Sequence, residues 1–171
     1  VAGHGDVDQQ KFADELLAWE EMMRAAGSHD LLRPSTIRAL TQVAAGADPE
    51  TTGRWGDTNG AAMRVTPLGI AMPSDPLERL VSLVHRTGRV THNTHIAVAG
   101  AAAVAAAVSA ALEGADLAEA TDLAIEAAHL GAKHGHFTGG ADVSARIAWA
   151  LGVVRERARG PGLDPIVDAV G

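Results

Sequence analysis

Apolar residues recur along this chain at intervals of three and four almost throughout, the spacing that lines up one face of an α-helix. Phe12, Leu16, Trp19 and Met23 predict a helix over about 10–26, with Asp14, Glu15 and Glu21 on its solvated face. Gly27-Ser28-His29-Asp30 ends it. Pro34-Ser35 opens a second helix with Ile37, Leu40 and Ala44 inward, closed by Gly46 and followed by a solvent-facing loop over 47–52. Pro67 breaks the apolar segment 63–70 into something shorter than a regular helix. Ser74-Asp75-Pro76 predicts a helix start with Asp75 as cap, Pro76 in the first turn and Glu78 completing a capping box. Leu77, Leu80, Val81 and Val84 form that helix's buried stripe, and Gly88 closes it. A polar junction, Thr91 to Thr94, precedes an alanine-rich helix running to Glu113. Asp116 and Glu119 repeat the capping pattern before a stripe of Leu117, Ala120, Ala124, Ala127 and Ala128. Val143, Ile147, Ala150, Leu151 and Val154 mark a further helix whose basic end, Arg155 to Arg159, suits its dipole. After Gly160-Pro161-Gly162, Leu163, Ile166, Val167 and Val170 begin one more. No alternating strand pattern appears, so the predicted class is all-α, a compact multi-helix fold.

Composition narrows this picture. A chain of 171 residues, 47% hydrophobic and 20% charged, is long enough for a single helical domain spanning 1–171 with a sizeable core. Aromatics make up only 3%, so close packing of alanines has to replace large side chains. A net charge of -7 argues against nucleic acid or an anionic membrane as a partner. The stretch Ile96–Leu112 approaches a membrane span in length, but it is mostly alanine, holds Gly100 and Ser109 and lacks basic flanks, so a buried core helix is expected. The absence of cysteine excludes disulfides, thiolate metal sites and a cysteine nucleophile, and no secretory signal opens the chain; a cytoplasmic location is expected.

The stretch Gly53-Arg54-Trp55-Gly56-Asp57-Thr58-Asn59-Gly60-Ala61-Ala62-Met63-Arg64 brings turn residues, a carboxylate and a helix start together. Its glycines allow sharp turns and close approach by a ligand, and Thr58 and Asn59 are natural caps for a helix beginning near Ala61. Exposed amides at such a start, with the helix dipole, suit a phosphate or diphosphate. The same residues also serve simply to end one loop and open one helix. His134-Gly135-His136-Phe137-Thr138-Gly139-Gly140 forms a second glycine-rich loop.

Asn59-Gly60-Ala61-Ala62-Met63-Arg64-Val65, followed by Pro67 and Gly69, resembles the Asn-Gly-(Ala/Gly)-Ala-Met-Arg signature of the ADP-ribosylglycohydrolase family. That family includes dinitrogenase reductase-activating glycohydrolases and J1-crystallins. Val90-Thr91-His92-Asn93-Thr94 is similar to the family's Thr-His segment. Trp19-Glu20-Glu21, Leu31-Leu32-Arg33-Pro34-Ser35-Thr36, Ala141-Asp142-Val143-Ser144 and Arg146-Ile147 fit the same pattern, so the resemblance covers nearly the whole chain. It implies an orthogonal helical bundle and a hydrolase acting on the glycosidic bond of ADP-ribose.

The resemblance also implies ligand-lining roles around the diphosphate and ribose for Gly56, Asp57, Thr58, Asn59, Gly60 and Met63. Asp57 is the weak candidate for a catalytic carboxylate; as a plain loop residue it would accept backbone hydrogen bonds. Many members carry Gly-Asn-Gly where this chain has Thr58-Asn59-Gly60, a departure that weakens the case for Asp57 as the catalytic carboxylate. His92 precedes a helix start, which disfavours imidazolium, so a neutral ring is expected. It is either a junction residue or, as the resemblance implies, a contact to ADP-ribose. His95 completes a His-x-x-His spacing with no third ligand, and His134 and His136 stand alone, so no metal site is expected from histidine. Trp55 would stack on a base or ribose, or anchor its loop.

Family members hold two magnesium ions between an Asp-Asp-Thr motif near the N-terminus and an Asp-x-Asp-Thr motif near the C-terminus. Neither motif occurs here, so the magnesium ligands are expected to be absent from this chain, which reads as the central portion of a longer protein, truncated at both ends. The implied function is hydrolytic removal of ADP-ribose from a modified protein or an ADP-ribose-containing small molecule, with this chain supplying the diphosphate- and ribose-binding loop. The alternative is a catalytically silent, crystallin-like structural or ADP-ribose-binding relative.

Overall fold

The structure is a computed structural model describing residues 7–29, 31–140 and 142–158. The described residues form an all-α fold: α1 (Gln9–Ala25), α2 (Pro34–Ala44), α3 (Pro49–Thr52), a 3-10 turn (Gly53–Trp55), α4 (Gly60–Arg64), α5 (Thr66–Ala71), α6 (Leu77–Gly88), α7 (His95–Leu112), α8 (Leu117–Gly131) and α9 (Val143–Ala158). The proposed helix containing Leu163 and Ile166 lies outside the described residues.

Helix α7 is the axis. Its residues Ala97, Val98, Ala99, Ala101, Ala102, Ala103, Ala105, Ala106 and Ala110 are all buried, so it is apolar on nearly every side and needs no amphipathic stripe. Small side chains let neighbours pack close to its backbone. Leu80, Val81 and Val84 of α6 meet Ala101, Ala102 and Ala105 on one side, and Ala124 and Ala128 of α8 meet Ala99 and Ala103 on another. A smaller cluster of Ala13, Leu40, Val43 and Val90 joins α1 and α2 to the segment after α6. Asp116 and Glu119 make the expected reciprocal cap of α8, at 2.9 Å in each direction.

Several local expectations are corrected. On α2 the inward set is Thr36, Ala39, Leu40 and Val43, while Ile37 is 43% exposed; the helix turns Val43, not the smaller Ala44, toward Ala13 and Val90. Residues 49–52 are a helical turn capped by Asp48, whose Oδ1 accepts from Glu50 N at 2.9 Å. Thr52 turns inward, and its hydroxyl donates to Val90 O at 2.7 Å. Helix α6 begins one residue later than expected, and its cap position is Pro76, which offers no accepting side chain. Ser74 is instead drawn to the end of α7, where its N–H donates to Glu113 Oε1 at 3.1 Å. Trp19, Leu117 and Val154 remain exposed, so the stripes of α1, α8 and α9 are shorter than the sequence pattern.

Gly152 lies inside α9 with nothing within 4 Å of where a Cβ would stand. Gly152→Ala is therefore expected to stabilise the chain by about 1 kcal/mol through helix propensity, read as a higher urea midpoint at unchanged slope. A loss of stability would show that α9 is not the regular helix described.

Candidate functional site: a groove beneath a clamped glycine loop

Residues 52–60 are tied to the junction 88–95 along their length. Asn93 N donates to Gly53 O at 2.8 Å, and the Thr94 hydroxyl donates to Gly56 O at 2.8 Å. The approach is so close that a Cβ on Gly53 would stand 1.9 Å from Arg89 O, and one on Gly56 would stand 2.0 Å from Thr91 O. These two glycines are required by contact with main chain. The same junction holds the second glycine loop: His136 N donates to Asn93 O at 2.8 Å, and His95 N donates to His136 O at 2.9 Å. Thr138 N donates to His95 Nδ1 at 3.2 Å, and Phe137 stacks on the His95 ring. Residues 91–95 thus form a hub between both glycine-rich loops.

With the loop pinned from behind, Asp57, Thr58 and Asn59 remain exposed. They form one lip of a groove of about 650 Å³, faced by Ile96, Ala97 and Gly100 of α7 and by Val143, Arg146, Ile147 and Ala150 of α9. That volume is on the scale of a nucleotide-sized ligand. The groove is mostly apolar with polar groups at the loop side, the arrangement that buries a flat or aliphatic moiety and orients a polar one.

The predicted residues of the loop and the short helix after it divide into three groups. Asp57, Thr58 and Asn59 line the groove. Gly56 and Gly60 act through their missing side chains, since a Cβ on Gly60 would stand 2.6 Å from His92 Cε1. Met63, 65% exposed, does not line the groove. Asn59 occupies the cap position of α4, but its side chain makes no capping bond and stays free to meet a ligand. Helix α4 is only five residues long, so its dipole is far weaker than the sequence reading supposed. Trp55 is 69% exposed, with the Arg54 guanidinium over its ring, and does not anchor the loop in the interior.

His92 is fully buried. Its Nε2 lies 2.9 Å from Thr58 Oγ1 and its Nδ1 lies 2.9 Å from Thr91 Oγ1. Burial first, and the nearby Arg64 cation second, push its pKa down to about 4, against a smaller opposing effect of Asp57. The ring is neutral, as expected, but it touches the groove only through Thr58. Arg64 is pushed down to about 10 by burial, sits over the Phe12 ring and donates to Thr91 Oγ1. His85, also pushed down by burial, has Nε2 at 2.8 Å from Asn93 Oδ1.

The sequence pattern places Val143, Ile147 and Ala150 on a core-facing stripe and Arg146 within the family resemblance, and gives none of the four the place in the groove that the structure does. Their signal was available: a glycine pair, Gly139-Gly140, immediately before a helix start. It also gave no role to Thr91 and Arg64. Among the described residues no group of three or more His, Cys, Asp or Glu converges as a metal site, so those residues do not fit a magnesium pair.

The described residues form an all-α domain, and residues 1–170 match the ADP-ribosylglycohydrolase family; the chain belongs to that family. It is 30% identical over 151 residues to the uncharacterized protein YegU of Escherichia coli (strain K12), covering 88% of this chain and 45% of that protein. It is 34% identical over 106 residues to an uncharacterized protein of Archaeoglobus fulgidus, covering 60% of this chain and 32% of that one. The chain thus spans less than half the length of these relatives. No solved structure gives a significant match.

Proposed function

We propose that this chain carries the diphosphate- and ribose-binding loop of an ADP-ribosylglycohydrolase, which removes ADP-ribose from a modified protein or small molecule by hydrolysing its glycosidic bond. The observation that carries the reading is the clamped loop 53–60, which presents Asp57, Thr58 and Asn59 at the lip of a groove of about 650 Å³ in a chain of this family. Thr58 and Asn59 supply polar side chains to phosphate and ribose oxygens, and the apolar wall of α7 and α9 takes the less polar part of the ligand. Arg146 supplies a cation on the far wall. Family members are metal-dependent in general. The magnesium pair that the resemblance implies would have to be held by carboxylates beyond those described, because the latter do not converge.

Calorimetric titration of the chain with ADP-ribose tests this reading. Saturable binding is expected without metal, and Asn59→Ala, whose side chain is exposed and uncommitted, is expected to weaken it roughly tenfold for one lost hydrogen bond. A folded chain that takes up no ADP-ribose, with or without magnesium, would contradict the reading.

A further inference from the structure

A single line of side-chain hydrogen bonds runs from Arg64 to the groove. Arg64 Nη2 donates to Thr91 Oγ1. Thr91 Oγ1 lies 2.9 Å from His92 Nδ1, and His92 Nε2 lies 2.9 Å from Thr58 Oγ1. The direction of its first bond is fixed, because a guanidinium carries donors and no acceptor. Thr91 Oγ1 therefore accepts from Arg64 and has one proton of its own to place. Two acceptors are in reach: His92 Nδ1 at 2.9 Å and Gly88 O at 3.4 Å. The nearer one makes the better bond.

A neutral imidazole whose Nδ1 accepts must carry its proton on Nε2. The complete burial of His92 beside the Arg64 cation disfavours the doubly protonated ring. Nε2–H then donates to Thr58 Oγ1, and the Thr58 hydroxyl proton is left to point away from the ring. Thr58 is exposed and lines the groove.

We propose that Arg64 is a positioning residue that sets the direction of the Thr91–His92–Thr58 relay, so that Thr58 meets the groove as a hydrogen-bond donor to a phosphate oxygen. The phosphate in this statement rests on the functional reading above. With the opposite direction, Thr58 would donate into the ring and face an anionic oxygen with lone pairs only.

The position of the ring proton is read by nitrogen-15 NMR of the ligand-free, histidine-labelled chain at neutral pH, with His92 assigned by the signal lost in His92→Gln. An Nε2–H ring is expected; an Nδ1–H ring overturns the relay whatever the chain binds. Arg64→Met, which keeps the bulk and removes the donors, is expected to shift His92 toward Nδ1–H, and Arg64→Lys to retain Nε2–H. Should Arg64→Met fail to fold, the nearly isosteric Thr91→Val breaks the same link. A ring unchanged in the folded variant removes Arg64 from its role. Thr58→Val is expected to weaken ADP-ribose binding roughly tenfold or more, and Thr58→Ser to preserve it; equal affinity for Thr58→Val overturns the phosphate contact. Failure of the unmodified chain to bind ADP-ribose would sink the functional reading and leave the ring measurement standing.

Discussion

Gly56→Ala is expected to destabilise the chain by about 3 kcal/mol or more, the upper end for overpacking a site that cannot yield. The new Cβ would stand 2.0 Å from Thr91 O and 2.8 Å from His92 Cα, both main chain. Neither can swing aside as a side-chain tip could. The segment would have to move as a unit, which would strain the Asn93 N to Gly53 O and Thr94 hydroxyl to Gly56 O bonds that hold the loop. Each such bond contributes about 1 kcal/mol. Urea unfolding followed by circular dichroism measures the change, and a fall in midpoint at unchanged slope is the expected form. A shift of less than about 0.5 kcal/mol would mean that the loop is not clamped as described. Gly152→Ala, with open space at its Cβ, supplies the opposite sign in the same assay.

That contrast shows what one-dimensional pattern can and cannot carry. The helices of the core were legible because their information is local: Leu77, Leu80, Val81 and Val84 lie on one face by spacing alone, and Asp116 with Glu119 satisfies adjacent amides. The all-α class followed from the same periodicity. Errors arose where the choice belonged to a distant partner. Ile37 and Val43 are equally plausible inward residues until α1 and Val90 are in place, and Asp75 looks like a cap until Ser74 is drawn to Glu113.

The site divides in the same way. Glycine spacing identified the loop 53–60, and the Asn-Gly-Ala-Ala-Met-Arg signature identified its family. The atoms that demand those glycines, Arg89 O and Thr91 O, lie about thirty-five positions further along the chain. His92 was singled out correctly as neutral. That it stands behind Thr58, with no surface of its own on the groove, depends on how deeply the junction is packed, and spacing does not encode depth. Arg146 entered only through the family pattern, without a place in the groove, because a single arginine in an amphipathic pattern reads as solvated surface unless the facing wall is known.

Burial of His92 also makes the chain's stability depend on pH in a way that one variant isolates. In the unfolded chain the imidazole titrates near its ordinary value of 6.5, and in the folded chain near about 4. Between these values the unfolded state binds more protons, so stability falls as pH falls. The contribution is fully present above about 6.5 and is lost progressively down to about 4. A shift of this size corresponds to about 3 kcal/mol. His85 is shifted in the same direction, and the carboxyls of Glu113 and Asp142 are held low by hydrogen bonds, from Ser74 and from Ser144 and Ala145 respectively, so the whole chain weakens in acid for several reasons. Those groups are common to the unmodified chain and to His92→Gln, and their effects cancel when the two are compared. Unfolding free energies measured for both across this range should converge as the pH drops, with the variant less stable at neutral pH and flatter in its dependence. Parallel curves would mean that His92 titrates normally in the folded chain, and the buried neutral ring behind Thr58 would have to be given up.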